Sequence, residues 1–290
     1  MDEREGVAMK PEARDKHFLD EGWLKIDLYD TSPIWKIREL LLKRLQEKWR
    51  LADLKRLEDY HLFVDSDNNH TAIQYDLLQL YLEAHSGLEV IRKNKKLLID
   101  LIGPDIHVSK YPYLRIARPN KRQDNVGYHR DTFYGCSPFE LSVFVPFVDL
   151  SDPDATLKLI PGSHIMPESA FSYKQIPSET VSKGSAKHQL GFLYSPKIME
   201  GNIDNRAVPI PLEIGQVLIF SLSIVHGQEV NRSQLTRFSS DIRVVNSLAP
   251  IEWERSVHKD YYVELSSSAV TKQARAYQKA NAPVTNDNNK

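Results

Sequence analysis

The length, composition and charge of the chain limit what it can be. Its 290 residues allow one large domain or two modest ones. Hydrophobic residues make up 41% of the chain and charged residues 27%, which is typical of a globular protein. Lysine and arginine number 38 and aspartate and glutamate 39, so the formal net charge is −1. This balance gives no general attraction to DNA, RNA or an anionic membrane, and we expect no nucleic-acid partner.

The cysteine content and the hydropathy of the chain bear on its location. Cys136 is the single cysteine, so neither an internal disulfide nor a cysteine-based metal cluster can form. The N-terminus lacks the apolar core of a secretory signal, and no run approaches the roughly 18 apolar residues of a transmembrane segment. We therefore expect a cytoplasmic protein. These observations leave open peripheral contact with a membrane and the oligomeric state.

From residue 31 to 105 the hydrophobic pattern has the period of an α-helix. Thr31 and Ser32 suit helix N-caps, and Pro33 suits a first helical turn. Apolar residues then recur at helical spacing, beginning with Trp35, Ile37, Leu40, Leu41, Leu45 and Trp49. Gly103 and Pro104 interrupt this pattern, so we expect the helical part to end there.

Beyond Tyr111 the pattern changes to that of short β-strands. These runs are rich in β-branched and aromatic residues and cover residues 113–116, 140–148, 157–160, 208–212, 217–222 and 238–245. Many short strands without helices between them predict a closed or double-sheet antiparallel fold such as a jelly roll. We expect this core at about residues 109–246, with the helices buttressing one sheet in a single domain of residues 1–280.

Two segments differ from this core. Residues 171–205 are polar and weakly periodic, and a long insertion of this kind is usually a lid or a disordered loop. Residues 281–290 have the composition of a disordered tail. We expect the 171–205 insertion, together with the helices, to shape a substrate pocket.

A close histidine–aspartate pair and a later histidine predict a metal site. His129 and Asp131 are two residues apart, and in a strand such side chains point to the same face. His226 follows an apolar predicted strand, and Gly227 permits a tight turn beside it. Two imidazoles and one carboxylate are the ligands of non-haem Fe(II) sites, which leave coordination positions open for a 2-oxo acid and O₂. We therefore predict that His129, Asp131 and His226 are the catalytic metal ligands.

Arg237 begins the strand that follows His226, and Ser239 shares its face by alternation. A guanidinium beside a hydroxyl suits bidentate binding of a carboxylate. A strand arginine is more often a surface residue, but the spacing of Arg237 from His226 favours a binding role. The dicarboxylate cosubstrate that this pattern indicates is 2-oxoglutarate.

Further motifs occur in a fixed order between residues 17 and 245. Residues 18–24 read Phe-Leu-Asp-Glu-Gly-Trp-Leu, residues 128–131 read Tyr-His-Arg-Asp, and residues 157–164 end in Pro-Gly-Ser-His. The closing set is His226-Gly227, Asn231, Ser233 and Arg237. Together these motifs resemble the phytanoyl-CoA dioxygenase-like branch of the Fe(II)/2-oxoglutarate-dependent oxygenases.

The resemblance implies a double-stranded β-helix, a cupin-like jelly roll, with iron held by His129, Asp131 and His226. It also implies that Arg237 binds the distal carboxylate of 2-oxoglutarate, with Ser239 as its partner. Family members often use the residue two past the second histidine for the cosubstrate, and here that residue is Gln228 in place of a serine. Halogenating relatives lack the carboxylate ligand, so Asp131 favours hydroxylation or desaturation.

Other basic residues are candidates for substrate contacts. Arg130, between two metal ligands, could contact the substrate or support a neighbouring carboxylate. Arg243 shares the face of Arg237 and could contact the substrate or pair with Asp241 or Glu140. A local basic cluster could attract an anionic substrate or lie in a solvated loop, and it consists of Arg115, Arg118, Lys121 and Arg122.

The expected function is that of an Fe(II)/2-oxoglutarate-dependent dioxygenase that hydroxylates an unactivated C–H bond of a small polar substrate. Residues 236–244 look most like bacterial members that act on sugar-like metabolites. One such class hydroxylates the anionic Kdo sugar of lipopolysaccharide, which is a candidate substrate. Two alternatives remain. A non-catalytic metabolite-binding β-barrel would be free to lose the metal ligands, and a cupin-like metal isomerase or hydrolase would not need Arg237 and Ser239.

Overall fold

Helices form most of the first hundred residues that the structure describes. The computed structural model describes residues 10–175, 197–201, 203, 205–228, 230–252 and 260–281. Its helices are α1 (Pro11–Glu21), α2 (Ser32–Glu47), α3 (Asp67–Glu83), α4 (Ser86–Lys93), α5 (Lys95–Ile102) and, after the last strand, α6 (Ala269–Ala280). A 3₁₀ helix spans Leu57–Leu62. Helices α2 to α5 lie within residues 31–105, the part that the sequence predicts to be helical.

The two longest helices follow from their sequence. Helix α2 has a proline in its first turn and buries a stripe at helical spacing that consists of Ile34, Ile37, Leu41 and Leu45. Helix α3 begins after Ser66, whose side chain accepts a hydrogen bond from the backbone N–H of Asn69. Both helices bury their apolar sides in the main core, and Gln74 of α3 donates to the Leu114 carbonyl of the adjoining sheet.

The main sheet is antiparallel and has seven strands in the described part of the chain. Its members are β1 (Trp23–Asp27), β2 (Ile106–Ser109), β3 (Tyr113–Ala117), β4 (Glu140–Pro146), β9 (Gln216–Ser221), β11 (Arg237–Asn246) and β12 (Tyr262–Ser266). The order runs β1-β9-β4-β11-β2-β12, and β3 also pairs with β11. Strand β11 is therefore covered on both edges, by β4 on one side and by β2 and β3 on the other.

The alternation of side chains along β11 divides the core from the candidate site. On one face, Phe238 packs edge-on against Tyr60, with ring centroids 5.6 Å apart. On the same face, Ser240 accepts a hydrogen bond from Tyr81 of α3 at 2.9 Å. The opposite face carries the residues that alternate with these, namely Arg237, Ser239, Asp241 and Arg243.

A smaller sheet lies against the face of the main sheet that carries Arg237 and Arg243, and the two sheets together form the jelly roll. It consists of β10 (His226–Gly227), β5 (Lys158–Leu159) and β8 (Val208–Pro209), in that order. The mainly antiparallel double-sheet fold with flanking helices confirms the predicted fold class. Strands β5 and β8 are shorter than predicted, and the chain turns soon after β5, where Gly162 has φ +71°. The main sheet also extends beyond residues 109–246, because β1 and β12 join its edges.

Only part of the predicted 171–205 insertion belongs to the described residues. Strand β6 (Tyr173–Gln175) pairs with β7 (Lys197–Met199) in a two-stranded sheet. Residues 176–196, 202 and 204 of this insertion lie outside the described residues, as do residues 282–290 of the predicted tail. A search of the described helices found none that is long and apolar enough to cross a membrane.

Candidate metal and cosubstrate site

The two predicted histidine ligands are brought together by a backbone bridge between distant parts of the chain. The backbone N–H of His129 donates to the carbonyl of His226, and the N–H of His226 donates to the carbonyl of His129, both at 3.0 Å. His226 also pairs with Leu159 of β5, so the bridge continues the small sheet. The two imidazole ring centroids lie 4.5 Å apart.

Both imidazoles are oriented by hydrogen bonds to backbone carbonyls. Nδ1 of His129 lies 2.7 Å from the Gly127 oxygen, and Nδ1 of His226 lies 3.1 Å from the Ile224 oxygen. A carbonyl can only accept, so Nδ1 carries the proton in each neutral ring and Nε2 presents its lone pair. Burial, with His129 as the next largest influence, lowers the pKa of His226 to about 4. His226 is therefore neutral at pH 7, as metal ligation requires.

Asp131 meets the histidines from a 3₁₀ helix, Asp131–Tyr134, and the predicted strand at this position is wrong. The chain turns here because the N–H of Thr132 donates to the Leu222 carbonyl and that of Phe133 to the Arg130 carbonyl. The predicted convergence is still present. Oδ1 of Asp131 lies 3.4 Å from Nε2 of His129.

Arg243 forms a buried ion pair with Asp131. Its Nη2 lies 2.5 Å from Oδ2 of Asp131, and neither side chain is more than 9% exposed. Burial alone would raise the pKa of Asp131, but Arg243 and His129 outweigh it and hold that pKa far below its usual range. The carboxylate is therefore ionised at pH 7 and available as a ligand.

The sequence left pairing with Asp241 or Glu140 open as an alternative to a substrate contact for Arg243, and the structure pairs Arg243 with Asp131 instead. Both carboxylates are engaged by other groups. Asp241 accepts from Nε of Arg115 at 3.2 Å, and Glu140 accepts from the Tyr262 hydroxyl at 2.6 Å.

Arg237 is a buried cation held by neutral groups. Its Nη1 donates to Oε1 of Gln228, and its Nη2 donates to Oδ1 of Asn125 at 3.1 Å. Within the described parts of the chain, Arg237 has no carboxylate in ion-pair contact, and its Nε has no hydrogen-bond partner. Burial lowers the pKa of Arg237 to about 10. Among the described residues, Arg237 therefore lacks the anionic partner that a buried guanidinium requires.

Ser239 and Gln228 complete this side of the site. Ser239 is fully buried, and its Oγ has no hydrogen-bond partner among the described residues. Gln228 is held at its amide nitrogen, which donates to the Asp154 carbonyl at 2.8 Å. Gln228 therefore orients the guanidinium of Arg237, in addition to lying at the position predicted for cosubstrate binding.

Arg130 faces away from the metal ligands that flank it. Its Nη2 donates to the Ser163 carbonyl at 2.6 Å, and its guanidinium lies over the Phe171 ring at 5.0 Å from the centroid. Ser163 in turn accepts a hydrogen bond at its Oγ from the N–H of Val225, next to His226. Arg130 thus contacts the Pro-Gly-Ser-His turn, and the carboxylate whose charge acts on it is that of Glu168, not that of a metal ligand.

Most of the predicted basic cluster is neutralised by acidic residues. Arg115 pairs with Asp241, as described above. Arg118 is 1% exposed and pairs with Asp124 at 2.8 Å and with Asp67 at 2.7 Å. Lys121 pairs with Asp65 at 2.6 Å. The cluster therefore offers little free positive charge to an anionic substrate.

Sequence reasoning missed two residues of the site. Asn125 contacts Arg237 from a loop and carries no motif that could have identified it. Tyr134 packs edge-on against His129, with ring centroids 5.5 Å apart. The sequence carried no signal for Tyr134, because the 3₁₀ helix that places it near His129 was not predicted.

The donor set fits Fe(II). The ligand atoms of His129, Asp131 and His226 all lie within 4.8 Å of one another, and all three residues are buried. Two imidazole nitrogens and one carboxylate oxygen are the donors of the facial triad in non-haem iron oxygenases. The hydrogen-bonded Nδ1 atoms supply the outer contacts that such ligands normally have.

A sequence model of the family described as Phytanoyl-CoA dioxygenase (PhyH) matches residues 36–239, which is more than half of the chain. The chain belongs to the phytanoyl-CoA dioxygenase family. The predicted resemblance is thereby confirmed. Fe(II), 2-oxoglutarate and O₂ are accordingly its cofactor and cosubstrates, and the buried triad is a candidate site for the iron.

Comparison with solved structures and curated proteins adds distant similarities. The structure of the non-heme monooxygenase ThoJ has 16% sequence identity to this chain and a TM-score of 0.48. The match covers 80% of this chain and 76% of the ThoJ chain. EvdO2 from Micromonospora carbonacea var. aurantiaca, complexed with 2-oxoglutarate, is 13% identical, with coverages of 85% and 95% and a TM-score of 0.49. The epimerase SnoN from nogalamycin biosynthesis is 16% identical, with coverages of 82% and 83% and a TM-score of 0.44. No curated protein matched the chain.

Proposed function

We propose that this member of the phytanoyl-CoA dioxygenase family oxidises a C–H bond of a small organic molecule, with hydroxylation as the outcome. In that reaction the substrate C–H bond, 2-oxoglutarate and O₂ give C–OH, succinate and CO₂. One observation carries the proposal: the three buried metal-ligand atoms lie beside strand β11, whose Arg243 contacts Asp131 and whose Arg237, on the same face of the strand, is a buried cation without an ion-pair partner in the described chain.

In this proposal each residue of the site has a defined task. His129, Asp131 and His226 hold the iron, which when bound supplies O₂ activation and cleavage of the C–H bond. Arg237 receives the distal carboxylate of 2-oxoglutarate by charge-assisted hydrogen bonds. Ser239 donates to the same carboxylate from the adjacent position of β11. Gln228 and Asn125 keep the guanidinium in place.

Burial of the site serves the same chemistry. None of the three metal ligands is more than 7% exposed, and Arg237 is 6% exposed. Exclusion of water strengthens the attraction between a carboxylate and a guanidinium, and it protects reactive species from side reactions.

The substrate class is proposed only as a small polar molecule. The Kdo sugar acid was suggested partly by the basic cluster, and the ion pairs of Arg115, Arg118 and Lys121 remove that support. Arg243 contacts Asp131, and Arg130 contacts the Ser163 turn. We therefore assign neither arginine as the principal substrate contact.

The test is iron-dependent release of succinate from 2-oxoglutarate in the presence of a broad pool of metabolites. Wild type is compared with Asp131→Ala and Arg237→Ala, and Arg44→Gln is the control because its ion pair with Asp76 joins helices α2 and α3. We expect turnover in wild type and Arg44→Gln and its loss in the other two. Wild type that binds Fe(II) and 2-oxoglutarate without releasing succinate would instead support the non-catalytic binding protein.

A further inference from the structure

We propose that Arg243 is a positioning residue that makes Asp131 a one-oxygen ligand and thereby keeps coordination positions on the iron open. This inference rests on the proposed function, since it concerns the same iron. It assigns a role to Arg243 that differs from the substrate contact expected from the sequence.

The two oxygens of Asp131 face different partners. Oδ1 lies 3.4 Å from Nε2 of His129, on the side of the metal ligands. Oδ2 lies 2.5 Å from Nη2 of Arg243. A carboxylate held in this way presents Oδ1 to a metal ion, while Oδ2 is in ion-pair contact with the guanidinium, although the geometry of that contact is not that of a hydrogen bond.

Arg243 is well placed to impose this orientation because its backbone is fixed in the main sheet. Arg243 lies opposite Ser142 of β4, and its N–H donates to Oγ of Ser109 in β2 at 3.1 Å. Asp131, by contrast, begins a short 3₁₀ helix after a loop. The central strand therefore supplies a rigid anchor for a ligand on a less regular segment.

The pairing is also selective. Among the residues that the structure describes, Asp131 is the one carboxylate in ion-pair contact with Arg243. Nη1 of the same guanidinium has no hydrogen-bond partner there. Asp131 is thus the acid in direct contact with Arg243, while Asp241 acts on its charge from a greater distance.

The consequence concerns the number of free coordination positions. Three protein donors leave three positions on a six-coordinate iron, and 2-oxoglutarate with O₂ needs all of them. A carboxylate that bound through both oxygens would occupy one of these positions. Removal of Arg243 would permit this, and it would also leave the Asp131 carboxylate free to turn away from the histidines.

The experiment measures metal binding separately from turnover. Wild type, Arg243→Met, Arg243→Lys and the control Arg44→Gln are titrated anaerobically with Fe(II) alone. 2-Oxoglutarate is then added, and the visible charge-transfer absorption of the iron–2-oxo acid chelate is recorded. The stability of each metal-free variant is measured by urea denaturation.

We expect Arg243→Met to bind Fe(II) about 10- to 100-fold more weakly, the usual effect of losing a contact to a metal ligand. Its chelate absorption per bound iron should be reduced or shifted. Arg44→Gln should match wild type in both measurements. Wild-type Fe(II) affinity and an unchanged absorption in folded Arg243→Met would overturn the inference and leave Arg243 as a neutralising charge.

Two further outcomes are decided by the same data. If Arg243→Met does not fold, the Fe(II) affinity of Arg243→Lys tests the inference. Lysine keeps the positive charge but lacks the planar guanidinium. A positioning role for Arg243 therefore predicts roughly 10-fold weaker Fe(II) binding in Arg243→Lys. Wild-type affinity in Arg243→Lys would then overturn the inference. If wild type binds Fe(II) but gives no chelate absorption, the proposed function fails, while the Fe(II) affinities still decide the role of Arg243.

Discussion

Substitution of Arg237 by methionine should separate cosubstrate binding from folding. Burial lowers the pKa of Arg237 from its ordinary value to about 10, which corresponds to about 3 kcal/mol of unfavourable burial of the cation. Its hydrogen bonds to Gln228 and Asn125 each offset about 1 kcal/mol of this burial cost. The metal-free Arg237→Met protein should therefore have a free energy of unfolding within about 1 kcal/mol of wild type.

Binding of 2-oxoglutarate should respond much more strongly. A buried, charge-assisted contact that loses one partner costs at least about 2 kcal/mol, which is about 30-fold in Kd. The matched ligand is 2-oxopentanoate, which keeps the chelating 2-oxo acid and the chain length but has a methyl group in place of the distal carboxylate. Arg237→Met should bind 2-oxopentanoate at least as well as wild type does.

The assay is anaerobic calorimetry with Fe(II) and each 2-oxo acid, together with urea denaturation of the metal-free proteins. Arg44→Gln is the control for loss of an arginine that does not contact the site. Two results would refute the reasoning. One is equal affinity of wild type and Arg237→Met for 2-oxoglutarate. The other is destabilisation of metal-free Arg237→Met by more than about 3 kcal/mol, which would make Arg237 a structural residue.

Two further predictions concern packing and pH. A Cβ at Gly227 would lie 2.9 Å from the Gly127 oxygen, so Gly227→Ala should force the two histidine segments apart, weaken Fe(II) binding and destabilise the fold by about 1–3 kcal/mol. Gly201→Ala, whose Cβ meets no atom of the described residues within 4 Å, should leave Fe(II) binding unchanged, and equal Fe(II) affinity in both variants would contradict this reasoning. Burial lowers the pKa of His70 from 6.5 to about 4. Below about pH 6.5 the unfolded chain therefore takes up a proton at His70 that the folded chain does not. The free energy of unfolding decreases as a result. His70 should lower the free energy of unfolding of wild type by about 2 kcal/mol between pH 7.5 and pH 5. If the free energy of unfolding of His70→Gln decreases as steeply over this pH range as that of wild type, this role of His70 is refuted.

The iron ligands could be predicted from the sequence because the types of side chain and their order carry the chemistry. This prediction required no knowledge of interatomic distances, since the two imidazoles and one carboxylate of His129, Asp131 and His226 define the donor set. Arg237 could be predicted because it begins the strand after the second histidine. The helical segment and the strands followed from hydrophobic periods of 3.6 and 2.

The local geometry at the iron ligands could not be predicted in the same way. Alternation in a strand was expected to align His129 with Asp131, whereas the structure places Asp131 in a 3₁₀ helix. The two histidines meet through a backbone bridge across nearly a hundred residues. Such a bridge depends on how β9 and β10 connect the two sheets, which no local pattern encodes.

The ion pairs show most clearly which features follow from the sequence and which depend on the tertiary structure. By itself the sequence predicted the three residues of the candidate iron site and a jelly-roll core with flanking helices, and it supplied the basis for proposing Arg237 as the cation that receives a dicarboxylate. Only the tertiary structure decided that Arg243 holds Asp131 and that Asp65 and Asp67 neutralise Lys121 and Arg118. The physical reason is that the partner of a charge is set by distance in the folded chain, and these partners lie some 50 to 110 residues apart in the sequence.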